Sequence, residues 1–160
     1  MSIEARIAEL GLTLPEPAKP VASYVSYVRS GHQVTISGQL SNDANGGIKG
    51  TVGVDVSPEQ ANAAARLCAI NLMAQMKVAC DGDLSRVVRV VKLGGFVQAG
   101  PDFEAIPGVI NGCSDLFVAV LGFNVSGLIG AAAAMLGILL PSTTLVVAAT
   151  RWARNNREHL

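Results

Sequence analysis

The side chains able to do covalent or acid–base chemistry are few in this sequence, and they are scattered. Cysteine occurs three times, at Cys68, Cys80 and Cys113. Cys68 and Cys113 sit among apolar residues at helical spacing, where a thiol packs as a small hydrophobe more often than it attacks a substrate. An odd number with no metal-type pairing argues against a disulfide scaffold, so a reducing, cytoplasmic setting is expected. The two histidines, His32 and His159, stand far apart, which excludes a His-rich zinc site and a HExxH metalloprotease. Ser37 lacks the His and Asp partners of a hydrolase triad. Lys92 has the amine a Schiff base needs, but one lysine in a β-branched run reads first as a solvated strand face. Gly94-Gly95 and Gly100 lack the Gly-Lys-Ser/Thr of a phosphate loop. No metal and no cofactor is expected.

Residues of these kinds need a scaffold to position them, and 160 residues allow one domain or a domain plus an appendage. Half the chain is apolar and 15% is charged, with 12 Lys/Arg against 12 Asp/Glu. A net charge of zero argues against nucleic-acid binding through a basic surface field, and the apolar content argues against disorder. The charges are unevenly placed. Residues 1–115 hold nine Lys/Arg and eleven Asp/Glu, and the 35 residues 116–150 hold none. The densest apolar part, 125–149, exceeds the roughly 20 residues a membrane span requires. Arg151, Trp152, Arg154 and Arg157 follow it in the manner of an interfacial anchor. Membrane contact through 125–150 and a buried core helix kinked at Pro141 are both open readings. Glu4, Arg6 and Glu9 interrupt the first ten residues, which therefore do not read as a secretory leader.

Ser2 followed by Ile3, Ile7 and Leu10 predicts a short amphipathic helix ended by Gly11. Pro15, Pro17 and Pro20 then force an extended connection. The runs 23–30 and 33–40 predict two strands joined at Gly31-His32, and 48–56 predicts a third, weakened by Gly50 and Gly53. Ser57, Pro58 and Gln60 form a capping-box start. From there Ala61, Ala64, Ala65, Cys68, Leu72, Met76 and Ala79 share one helical face, whose small residues suit close packing on a sheet. The run from Leu84 to Val97, with Val87, Val88, Val90, Val91 and Leu93, predicts a fourth strand after a short turn, and 109–121 a second long helix. Strands followed by helices favour helices on one face of a mixed sheet. Two such helices need about five or six strands to close a core, and four are evident.

Several of these segments resemble the RidA/YjgF family (endoribonuclease L-PSP, chorismate-mutase-like). They are Tyr24; Ser37-Gly38-Gln39 after a β-branched strand; Ser57-Pro58-Glu59-Gln60; Gly82-Asp83-Leu84 with the run Arg86 to Leu93; and Pro101-Asp102-Phe103, Pro107, Val109, Asn111-Gly112 and Ser114-Asp115-Leu116. The resemblance covers about residues 1–122. It implies a homotrimer with ligand clefts between subunits and, in one branch, hydrolysis of reactive enamines and imines to ketone plus ammonia. It assigns Tyr24 and Asn111 to catalysis and Ser37, Gly38 and Gln39 to substrate binding. Read without it, these residues are a strand aromatic, a helix-surface asparagine and ordinary strand residues. After Gly122 the pattern departs: the arginine that would clamp a substrate carboxylate is absent, as is a carboxylate on the last strand. The stretch 123–160, with Met135 to Ser142 and Arg151 to Arg154, resembles instead one membrane segment of the chromate transporter family.

The expected fold is α+β. It is a chorismate-mutase-like mixed sheet with two helices on one face, its C-terminal strands missing, in a domain at 1–122, followed by a hydrophobic helical tail at 123–160. The expected function is imine or enamine hydrolysis in an impaired form. The competing classes are a non-catalytic small-molecule-binding or interaction module, and a membrane-tethered fusion. The expected partner is a small imine, enamine or carboxylate-type ligand, with no nucleic acid.

Overall fold

The structure, a computed structural model, describes residues 2–139, with side chains described over 2–122. Helix α1 spans Ile3–Glu9. The Ser2 hydroxyl accepts the Ala5 N–H at 3.1 Å, and Gly11 ends the helix at φ +67°. The proline-rich connection that follows is held by Gln75, whose buried amide donates to the Ala18 carbonyl at 2.8 Å.

Strands β1 (Tyr27–Ser30) and β2 (Gln33–Ile36) pair antiparallel, with Tyr27 opposite Ile36 and Ser30 opposite Gln33. Gly31 takes φ +57° in the turn. Both strands are shorter than the sequence predicts. The Tyr24 N–H turns to the Ala22 carbonyl, and the Gln39 amide bonds the carbonyls of Ser37 and Gly38, so the flanks bend instead of extending the ladder.

The third predicted strand, 48–56, is not one. The Thr51 carbonyl accepts from the N–H groups of Val54, Asp55 and Val56, and Gly50 and Gly53 take φ +144° and +82°. Two glycines in conformations that other residues avoid fold this run into a tight turn. Val52 makes only isolated bridges to Val56 and Ala99.

Helix α2 spans Pro58–Ala79 and carries the predicted capping box: the Gln60 N–H donates to Ser57 Oγ, and the Ser57 N–H donates to Gln60 Oε1. At its other end Arg29 and Arg86 donate to the carbonyls of Ala79 and Cys80, where cations suit the helix dipole. Both arginines also pair with Asp81, which, with Arg86 first and Arg29 second, holds its carboxyl below the usual range. A 3-10 turn, Leu84–Arg86, follows, and buries Leu84.

The fourth predicted strand, from Leu84 to Val97, is not one: it opens on this 3-10 turn, and the rest has no strand partner among the described residues. Residues 88–97 make no backbone hydrogen bond among the described residues. A strand exists only as part of a ladder, and among the described residues the sheet stops at two strands, β1 and β2. Helix α3, Ile106–Leu139, starts earlier and runs further than the predicted 109–121, so the expected boundary at 122 falls inside it. Its extent covers part of the helical tail expected at 125–150, and 140–150 lies outside the described residues.

The main core forms where α1, α2 and α3 meet, from Ile3, Ile7, Ala69, Met73, Leu84, Leu116, Phe117 and Val120. A second cluster joins Val52, Val56, Ala61 and Val109, with Ala65 packed against both. Helices α2 and α3 approach closely at Gly112, where an added Cβ would lie 2.1 Å from the Asn62 carbonyl oxygen. The Asn62 amide fixes the crossing by donating to the Gly108 carbonyl at 2.8 Å. Among the described residues, no helix is long and apolar enough to cross a membrane.

Candidate functional site

The face of α2 predicted to pack on a sheet is the floor of a cavity. All seven residues of that face, from Ala61 to Ala79, line a groove of about 1330 Å³. One wall is β2 with its continuation to Ser41, another is the segment 86–98, and α3 contributes Val109, Ile110, Cys113 and Phe117. The helix is apolar on two sides: Ala69 and Met73 enter the core, while Ala64, Ala65, Cys68, Leu72 and Met76 are half-buried beneath the groove.

The groove is electrostatically one-sided. Lys49, Arg86, Arg89 and Lys92 line it, and no Asp or Glu does. Arg86 is engaged with Asp81, whereas Lys49, Arg89 and Lys92 have no ion-pair partner among the described residues. Cations on an apolar cavity attract anions, because the low-dielectric wall weakens screening.

The groove brings together some of the residues singled out from the sequence. Ser37, Gly38 and Gln39 lie on its β2 wall. The Ser37 hydroxyl donates to the Ser26 carbonyl at 3.0 Å, which leaves its lone pairs to accept, and the Gln39 carbonyl oxygen is uncommitted. Gly38 faces open space. Tyr24 and Asn111 are not on this lining. Tyr24 is 48% exposed on the bend before β1, and Asn111 is exposed on the second turn of α3, where its carbonyl accepts from the Ser114 hydroxyl at 3.4 Å.

Two of the three cysteines on the groove, Cys68 and Cys113, are poor nucleophiles. Burial pushes the Cys113 thiol up to about 11, helped by its neighbour Cys68, and burial also raises Cys68. Both are free thiols, and they stay protonated at neutral pH. The sequence alone does not single out Lys49 and Arg89, and it offers Lys92 only as an amine nucleophile. Their shared signal is an absence of carboxylates, which becomes visible only once the lining is assembled. His32 also lines the groove, exposed at the hairpin turn.

The model of the family described as "YjgF/chorismate mutase-like, putative endoribonuclease" matches residues 4–140. This chain belongs to the YjgF family. The match runs past Gly122, where the sequence is expected to leave the family, as far as residue 140. Protein TCP17 of Trypanosoma cruzi is 45% identical over 124 residues, 77% of each chain. The crystal structure of Atu1372 from Agrobacterium tumefaciens, a protein described as of unknown function, is 46% identical with a TM-score of 0.69, covering 75% of this chain and 74% of that one. The crystal structure of a protein described as a "putative endoribonuclease" from Shewanella oneidensis is 31% identical with a TM-score of 0.74, covering 79% of this chain and 84% of that one. A mixed α+β fold with three helices and a small sheet agrees with membership of the YjgF family.

Proposed function

We propose that this YjgF-type chain binds a small carboxylate-bearing imine or enamine in the groove and hydrolyses it slowly. The observation that carries the reading is the acid-free, cation-lined wall formed by Lys49, Arg89 and Lys92. These side chains take the role left vacant by the arginine that the family resemblance implies and this sequence lacks. Hydrolysis of the imine adds water across the C=N bond and then expels ammonia, leaving a ketone, so both protons of the water end on the nitrogen, one as the water adds and one as the carbinolamine collapses. The lining offers no carboxylate to move these protons, and its one histidine, His32, stands exposed at the hairpin turn, so turnover is limited by proton transfer.

In the homotrimer implied by the resemblance, Tyr24 and Asn111 serve the groove of a second copy, which accounts for their place off the lining of their own. A second reading, after the endoribonuclease in the family's description, puts an RNA phosphodiester on the same cations.

Ligand-detected NMR with pyruvate and acetone tests the anion preference. Pyruvate should bind about tenfold more tightly, the value of one charge-assisted hydrogen bond. Equal binding would remove the reading. Ammonia release from a 2-imino acid, run beside cleavage of a single-stranded RNA, separates the two chemistries. Sedimentation of the full chain checks the trimer.

A further inference from the structure

The groove has a property that a small carboxylate does not use. Its walls carry open backbone. Residues 88–97 make no backbone hydrogen bond among the described residues, and β2 pairs only with β1, so alternate residues of β2 turn their N–H and C=O groups away from the hairpin. The segment between Val87 and Val97 is also strongly apolar and exposed: Val88 is 73% exposed, Val91 69%, and Phe96 fully. Edge strands of this length and composition are ordinarily paired or protected. The floor is the half-buried apolar face of α2. At about 1330 Å³ the cavity exceeds the roughly 300–1,000 Å³ of common small-molecule sites.

We propose that the groove accepts an extended peptide strand from a partner, apolar on the side facing α2 and carrying Asp or Glu along its length. The strand adds backbone hydrogen bonds to residues 88–97 and to the free edge of β2, the β-augmentation mode of recognition. Its alternate apolar side chains cover Ala64, Cys68, Leu72 and Met76, and its carboxylates meet Lys49, Arg89 and Lys92. A fatty anion would satisfy the apolar floor and the cations but would leave both backbone edges open. A second copy of segment 86–98 would bring Arg86, Arg89 and Lys92 against the same three cations, so self-pairing is opposed by charge.

The inference does not rest on carboxylate turnover. The test uses the full chain and a fluorescein-labelled eight-residue peptide alternating Val and Glu, followed by anisotropy and by amide hydrogen exchange. Saturable binding is expected, with new protection over 88–97 and 33–39. The Val–Lys counterpart should bind at least about tenfold more weakly. Val91→Pro removes one donor at an exposed position that makes no hydrogen bond. It should weaken the Val–Glu peptide about tenfold while the helical circular dichroism is unchanged. Three results would each overturn the proposal: no saturable binding, equal binding of the Val–Lys peptide, or displacement by dodecanoate with no protection of 88–97. Pyruvate binding without peptide binding sinks this inference alone, and peptide binding without pyruvate binding sinks the carboxylate reading alone.

Discussion

Gly112 shows how a single missing side chain sets the frame for the site. Its α-carbon faces the Asn62 backbone across the crossing of α2 and α3, and a methyl group there would meet the carbonyl at 2.1 Å. Gly112→Ala should therefore lower stability by about 1–3 kcal/mol in urea unfolding, because the overpacked helices must separate. Gly108 is the control. It lies in the first turn of the same helix with nothing within 4 Å, so Gly108→Ala should be neutral or gain up to about 1 kcal/mol. The sequence shows the Asn111-Gly112 pair but not why glycine is needed, since the reason is a residue fifty positions away. Cys113 gives a pH prediction. Its thiol sits at about 11 in the folded chain, above its ordinary value near 9. The unfolded chain loses that proton first, so stability should fall as pH rises from about 9 to about 11. Urea unfolding of the wild type and of Cys113→Ala across that range checks this, since the slope should shrink in the variant.

Among the elements, those defined by local chemistry were legible and those defined by distant partners were not. The capping box at Ser57 and Gln60 could be read directly, because its bonds span three residues. Ser57→Ala should cost about 1 kcal/mol in thermal or urea unfolding, the usual value of an N-cap. The apolar face of α2 was also legible, down to the seven residues that line the groove. The strand readings of 48–56 and 84–97 failed for different reasons. In the first, Gly50 and Gly53 break the extended run locally. In the second, the residue types suit a strand, yet no edge lies within reach, and β propensity is largely a measure of neighbours. A sequence states the preference of Val87, Val88, Val90 and Val91, and it cannot state that their partner edge is open. The same limit hid the cationic lining, which draws Lys49 from one loop and Arg89 and Lys92 from another.

For the whole molecule, the three-helix core and the groove separate stability from binding. Leu116 is fully buried among α1, α2 and α3, so Leu116→Ala should cost about 2–5 kcal/mol in urea unfolding. Lys92→Ala, on the exposed wall, should leave stability within about 0.5 kcal/mol while weakening pyruvate binding. The core holds α2 and α3 together without help from the sheet, which leaves the second apolar side of α2 open under the groove. Everything proposed for this YjgF-family chain depends on that opening. Native-state amide hydrogen exchange of the full chain, free of ligand, tests it most directly. Amides of residues 88–97 should exchange within seconds while those of Ala69 to Met76 in α2 are retained. Protection of 88–97 comparable to that of α2 would mean that a strand already fills the groove, and would contradict the account.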